Sequence, residues 1–433
     1  MRLSSKKKLS LTLGEKMGRG FLDIVYMTRS KVADIMYMIQ HRRKLSYFTR
    51  STGKMQFSDA IYIILKGLRK TLQIEIDSWF EGMGQEISMT KQSFSELRQR
   101  ISPTAFTELN EVFVDWFYED ESFKKYHGYR LLGVDGSITE IPNTECNREH
   151  FGYYHNQSDW KQSRAMMSAV YDIENDIIIE SEICSWRSAE REVAKKLITK
   201  VSERGQKNDL YLFDRGYPSN EMYHFLMAEQ KVKFVIRVKV DKFQTQTDNA
   251  NLPDQEIKIP YKGEELRLRI INVELETGEI EKLVTNLYDD VIDFRELYFK
   301  RWGIEVKYCQ LKSRYELENF SGNSQIAIEQ DFYANIYLSN MLTIAKEEAN
   351  SNIVKKDGLK YEYKVNMNIL IGKMIPMLVK SLCEENHERR GELYAKTMAE
   401  ITRNLVPIRP GRHFPRPEPS RKNKFPYTRK RPL

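Results

Sequence analysis

Apolar positions recur every three or four residues through residues 1–122, then give way to short apolar runs and alternations, so the pattern predicts a helical beginning followed by a mixed α/β region. Phe57, Ile61, Ile64, Leu65 and Leu68 fall on one helical stripe, as do Phe106, Leu109, Val112, Phe113 and Trp116 after a start at Ser102-Pro103. Between them, residues 88–100 read as a short helix with a Ser93-x2-Glu96 capping box. Its apolar face carries Phe94, Leu97 and Ile101, and its opposite face Lys91, Arg98 and Gln99. Such a helix either lies solvated on the surface or enters a major groove, where Arg and Gln read base edges.

Residues 129–238 alternate strand and helix. The run 129–137 reads as a buried strand with Asp135 near its exit and Gly136 turning after it, and 138–141, 165–171 and 177–183 continue as an antiparallel meander. A helix over 189–203, capped by Ser188 and opened by Glu190, leads to a short apolar strand, 209–213, that ends at Asp214. Gly216 and Pro218 follow, then a helix opened by Ser219. Three meandering strands, a crossover helix and a further strand predict a ribonuclease-H-like core, a mixed sheet with flanking helices. Over 241–282, Ile257, Ile259 and the run 266–273 alternate with charges up to a Thr277-Gly278 turn, which predicts a β-rich insertion before the core strand 283–287. Helices are expected at 326–346 and 365–382. The boundaries are therefore a helical amino-terminal domain (1–122), a catalytic core (123–350) interrupted at 241–282, a helical carboxy-terminal region (351–402) and a tail (403–433).

Candidate chemistry concentrates near residue 300, where Tyr298, Arg301, Glu305 and Lys312 stand in the spacing Tyr-x2-Arg-x3-Glu-x6-Lys. On one continuous helix these side chains share a sector of roughly 60°. One carboxylate among two cations and a phenol suits a metal held beside a phosphodiester, although Arg301 and Glu305 at i, i+4 also make an ordinary surface pair. A lone Glu does not hold a catalytic Mg²⁺, so two further acids at strand exits are required, and Asp135 and Asp214 meet that description.

Asp135 in Gly-Val-Asp-Gly-Ser, Asp214 in Phe-Asp-Arg-Gly-Tyr and Glu305 in Arg-Trp-Gly-Ile-Glu, flanked by Tyr298 and Lys312, resemble the DDE transposases of bacterial insertion sequences, specifically the insertion-sequence-four family with its Tyr-Arg-Glu-Lys signature. The resemblance runs from about residue 88 to about residue 375. It implies a metal-dependent cut-and-paste enzyme in which Asp135, Asp214 and Glu305 are catalytic and bind two Mg²⁺ ions, with Mn²⁺ able to substitute. It implies double-stranded DNA partners, the terminal inverted repeats and the target, and a homodimer in the synaptic complex. Tyr298, Arg301 and Lys312 are then expected on DNA phosphates. Arg215 either joins them or pairs with a core carboxylate, and Lys91 and Arg98 are candidates for end binding. Some members stack a flipped base on a tryptophan of the insertion. This insertion has none, leaving Tyr261 or Tyr288 as substitutes. Two other readings stay open: a structure-selective nuclease that does not join DNA, and a non-catalytic DNA-binding descendant.

Composition changes the picture in two places. The chain has 433 residues and a formal charge of +8, but residues 403–433 alone carry ten cations against Glu418, a net +9 that leaves residues 1–402 near −1. That tail, rich in Arg, Lys and Pro without apolar periodicity, is expected to be disordered until it meets a polyanion, or merely solubilising. Cys146, Cys184, Cys309 and Cys383 lie far apart with no Cys-x2-Cys pair, which argues against a zinc site and a disulfide framework and fits a reducing cytosol. No apolar run approaches ~18 residues, so the expectation is a soluble intracellular protein not associated with a membrane, and the resemblance implies the bacterial cytoplasm and the nucleoid.

Overall fold

The computed structural model describes residues 20–49, 53–85, 89–155, 161–247, 252–275, 278–353 and 360–409. Six helices come first: α1 (Phe21–Ala33), α2 (Ile35–His41), α3 (Phe57–Leu65), α4 (Leu72–Gly82), α5 (Lys91–Arg98) and α6 (Thr104–Tyr118). The α/β region follows with β1 (Arg130–Glu140), α7 (Glu145–His150), β2 (Tyr153–His155), β3 (Lys161–Asp172), β4 (Ile177–Ser185), α8 (Glu190–Glu203), β5 (Asp209–Phe213), α9 (Asn220–His224) and β6 (Lys233–Val238). Then come β7 (Asp254–Tyr261), β8 (Glu264–Glu274), β9 (Ile280–Thr285), α10 (Phe294–Lys300), α11 (Trp302–Ser313) and α12 (Gln325–Ser351). The described chain closes with β10 (Tyr363–Val365), α13 (Met367–Cys383), α14 (His387–Ile401) and β11 (Leu405–Pro407).

One mixed sheet organises the molecule, in the order β2-β3-β1-β5-β6-β9-β8-β7 with β4 also paired to β3. β1, β3 and β4 form the antiparallel meander, while β5 lies parallel to β1 and β6 parallel to β5. Alternation along the strands supplies both faces. Leu132, Val134, Tyr211 and Phe213 join the larger core, which continues into the helices, and Leu131, Leu210 and Leu212 join a smaller core covered by α10 through Phe294, Leu297 and Tyr298. The β-rich stretch is not a separate unit: β9 pairs β6 and β8 pairs β9, so it extends the main sheet at its edge. The amino-terminal helices pack on α12 and α13, the long buried helix α12 touching both α6 and β4.

Several local expectations change. Thr90, not Ser93, caps α5, its side chain accepting from Ser93 N. Ala189 precedes α8 without a side-chain cap, whereas Ser219 caps α9 as expected, accepting from Met222 N. Gly136 is no turn: β1 runs straight through it, with Gly136 opposite Ser168 on β3. The start of the expected tail is ordered, since Leu405–Pro407 pairs with β10. Residues 410–433, together with Trp160, Thr277 and the first residues of the predicted 88–100 helix, lie outside or at the margin of the described residues.

Candidate active site

The register of β1 on β5 positions the first two acids. Arg130 stands opposite Asp209, and their side chains make a buried two-bond ion pair, Nε to Oδ1 at 2.7 Å and Nη2 to Oδ2 at 2.9 Å. A bidentate guanidinium-carboxylate contact tolerates no slip. Pairing then runs to Gly133 opposite Leu212 and stops. Carried two residues further, the same register sets Asp135 beside Asp214, where β5 has ended and β1 continues. Side chains at the carboxyl ends of adjacent parallel strands face an open crevice.

The third acid comes from α11, which packs on β1. The Tyr308 hydroxyl donates to the Asp135 carbonyl at 2.8 Å, and Lys312 Nζ to the Ile138 carbonyl at 2.6 Å. Close approach is possible because Gly133 and Gly303 carry no side chains: a Cβ on Gly303 would sit 3.3 Å from Ile173. Lys307, two residues after Glu305, is 2 % exposed and donates to Asp176 at 2.8 Å, and Asp176 also accepts from Lys346 of α12 at 2.6 Å. Burial opposes its charge, yet these two ammonium groups hold the Asp176 carboxyl well below the usual range.

The Tyr-Arg-Glu-Lys residues do not share one uninterrupted helix, because the chain breaks at Arg301 between α10 and α11. The Tyr298 ring is buried and its hydroxyl donates to the Phe213 carbonyl at 3.3 Å, so it braces the residue before Asp214 and is not presented to a phosphate. Arg301 Nη2 donates to Glu305 Oε1 at 2.8 Å, which is the ordinary i, i+4 pair, and its Nε is a buried donor without a partner. Arg215 is exposed beside Asp214, and Lys312 additionally faces Glu318 at 3.8 Å. Lys91 is exposed on α5. Arg98 is a correction: it is 1 % exposed, with Nε on Gln330 at 2.9 Å and Nη2 on Asp331 at 2.8 Å, its remaining amine bonding Ser321. Alternation of charge on a short helix placed it outside, but α5 buries that side against α12. Of the insertion's aromatics, Tyr288 is half exposed, whereas Tyr261 packs on the core beside His224.

A fourth acid belongs to this crevice. Glu190, in the first turn of α8, receives a 2.9 Å hydrogen bond from the Tyr217 hydroxyl. A Cβ on Gly136 would lie 2.5 Å from Glu190 Oε1, and one on Gly216 would lie 3.1 Å from Asp214 Oδ1 and 3.9 Å from Glu190 Oε2. A side chain at Gly136 would therefore displace the Glu190 carboxylate, and one at Gly216 would crowd the Asp214 carboxylate. Sequence reading took Glu190 only as a helix-opening charge; the signal that was present is the glycine after each strand acid.

Burial pushes the Asp135 carboxyl up to about 7, against its bond from Gly136 N and the Arg301 charge and with the help of Glu190 and Asp214. Each carboxylate is held locally: Asp135 by Gly136 N at 2.9 Å, Asp214 by Gly216 N, Glu190 by Tyr217 and Glu305 by Arg301. Consistent with that, among the described residues no three His, Cys, Asp or Glu side chains stand close enough together to hold a metal ion. No helix among them is long and apolar enough to cross a membrane.

Residues 126–341 match the sequence profile of the Transposase DDE domain family. Over 166 residues, 36% of this chain, the sequence is 25% identical to a putative transposase for insertion sequence element IS4SA of Synechocystis sp.. The chain spans about half the length, 47%, of that curated relative. A solved piggyBac transposase synaptic complex with hairpin DNA is distantly similar, with a TM-score of 0.44 and 14% identity over 90% of this chain and 84% of that one. The span of the matched profile, taken with the insertion-sequence relative, makes this chain a member of the DDE transposases, of the insertion-sequence-four type.

Proposed function

We propose that this protein excises and inserts an insertion sequence, cutting DNA at terminal inverted repeats and transferring the freed 3′-hydroxyl to target DNA. The observation that carries this reading is the β1/β5 register, which sets Asp135, within β1, beside Asp214, just past the end of β5, under the helix that bears Glu305. The meander, the crossover helix α8 and the parallel β5 support a ribonuclease-H-like core. The partition into an end-binding amino-terminal region, a core and a carboxy-terminal region remains part of the proposal.

The donor set fits a hard divalent cation: four carboxylates with Arg301 as the neighbouring cation, and an Asp135 carboxyl pushed up by burial, with Glu190 and Asp214 adding to it. Mg²⁺ or Mn²⁺ held there would supply an activated water or 3′-hydroxyl and would neutralise the departing oxygen. Asp135, Asp214 and Glu305 would be the ligands and Glu190 a further acid of the same cluster. Tyr217 keeps Glu190 turned inward, and Tyr298 fixes the end of β5. Arg301 is placed to exchange Glu305 for a DNA phosphate, while Arg215 and Lys312 meet phosphates at the crevice mouth. The partners are double-stranded DNA, ends and target, gathered by a homodimer in the bacterial nucleoid.

The test is an assay on DNA carrying the flanks of this protein's own reading frame, with Mg²⁺ present. Cuts at the element ends and joined products are expected. Asp135→Asn, Asp214→Asn and Glu305→Gln should each lose both activities by at least about a thousandfold while binding DNA normally. A fully active single variant removes that residue from the site, and cutting without joining reduces the activity to that of a nuclease.

A further inference from the structure

The segment after α2 and the α5–α6 connection are stitched together by main-chain bonds. Arg43 N donates to the Arg100 carbonyl at 2.9 Å, Ser102 N to the His41 carbonyl at 2.7 Å, and Arg42 and Ile101 form a β-bridge. The stitch gathers cations that are far apart in sequence: the Lys44 ammonium lies 5.7 Å and the Arg100 guanidinium 5.4 Å from the centroid of the Tyr47 ring, and Arg43 Nη1 bonds the Gln99 carbonyl at 3.0 Å. Together with Glu96 and Gln99 these residues line an open cavity of about 470 Å³. Arg43, Lys44 and Arg100 are exposed, and among the described residues none of the three is ion-paired with a carboxylate. Arg204, by contrast, is neutralised by three acids and Lys195 by two. With Glu96 the single acid in that lining, three cations around one cavity leave it net positive, and like charges so gathered repel one another.

A continuous run of bonds joins this cradle to the candidate active site. Gln99 Nε2 donates to Ser324 Oγ at 2.7 Å, and Arg98 bonds Ser321 and Asp331, so α5 is fixed to the loop before α12. The same loop carries Glu318, which accepts from Thr139 of β1 at 3.3 Å and faces Lys312 at 3.8 Å. One end of this rigid track is the cradle. The other is the helix of Glu305.

We propose that the cradle grips the sugar-phosphate backbone of duplex DNA next to the cleavage position, with Arg43, Lys44 and Arg100 on phosphates and the Tyr47 hydroxyl donating to one of them. This rests on the reading of the chain as an enzyme that acts on DNA ends. Duplex DNA is the occupant because the lining is net basic and concave, complementary to a phosphodiester backbone, and is tied through the bonded track to the helix of Glu305.

The experiment uses full-length protein, calcium in place of magnesium to prevent cutting, and a labelled duplex carrying the element's own end, with anisotropy read across a salt series. Arg43→Gln/Lys44→Gln/Arg100→Gln should flatten the slope of log K against log salt by about 2 to 3, near 0.9 per lost phosphate contact, and weaken binding at least tenfold at low salt. The charge-conserving triple Arg43→Lys/Lys44→Arg/Arg100→Lys should keep the wild-type slope, which separates lost charge from lost fold. An unchanged slope in the glutamine variant overturns the proposal. The active-site reading fails separately, if wild-type protein binds the end with this slope yet never cuts it with magnesium.

Discussion

At the scale of single residues, Asp135 carries the most distinctive prediction. Its carboxyl titrates near 7 in the folded protein and near 3.8 when unfolded, so the folded state holds a proton that the unfolded chain has released. By linkage, the stability of the metal-free protein falls as pH rises from about 4 to about 7, by a few kcal/mol at most. Thermal melts in EDTA should show wild type losing stability between pH 5 and pH 8 relative to Asp135→Asn, with Mn²⁺ restoring it at pH 8. Parallel pH profiles for the two proteins would remove the charge cluster from the account. Glu190→Gln should likewise raise the metal-free melting temperature, by relieving repulsion, while lowering cleavage roughly ten- to a hundredfold, the range for groups that support a metal site. Gly136→Ala should reproduce the cleavage defect, since its methyl would fall 2.5 Å from Glu190 Oε1; normal cleavage by that variant would show the carboxylate position to be unimportant.

At the scale of elements, the seating of α11 rests on Lys307 and Asp176. Removing the acid leaves a buried ammonium without its partner, so Asp176→Ala should lose roughly 3–5 kcal/mol, whereas Lys307→Met leaves Asp176 its bond to Lys346 and should lose less. Urea denaturation ranks the two, and the reverse order would contradict the assignment. Much of this element level was legible in the sequence. Apolar runs ending in Asp135 and Asp214 announced buried strands, and the 3.6-residue stripes announced α3, α6 and α12. What stayed hidden is what sequence distance conceals. Gly136 reads as a turn, but β3 pairs along the whole of β1 and keeps it extended. The 298–312 spacing reads as one helix face, but α10 ends before Arg301 and buries Phe294, Leu297 and Tyr298 together on the second face of the sheet. Arg98 reads as a solvated or groove-facing cation, but its partners Gln330 and Asp331 lie more than two hundred residues away. For Glu190 the only local signal is the glycine that follows each strand acid, and nothing near residue 190 itself points to the contact.

At the scale of the whole molecule, the charge distribution divides the labour. Residues 1–402 are nearly neutral, so their basic surface has to be local, as in the Arg43/Lys44/Arg100 cradle, while the excess lies in the carboxy-terminal segment. Because Leu405–Pro407 is part of a sheet with β10, the segment to remove begins after Arg409. Truncation there deletes eight cations and one acid, and it should flatten the salt dependence of DNA binding while leaving the thermal melt unchanged. An unaltered slope would assign that segment to solubility alone. The account as a whole turns on whether acids from β1, β5 and α11 converge on divalent cations once their local hydrogen bonds are exchanged. Anomalous diffraction from crystals of the protein with its own end DNA and Mn²⁺ measures this directly. The prediction is manganese peaks at about 2.0–2.6 Å from carboxylate oxygens of Asp135, Asp214 and Glu305. Peaks ligated elsewhere, or a Glu305 that stays on Arg301 out of reach of any ion, would contradict it.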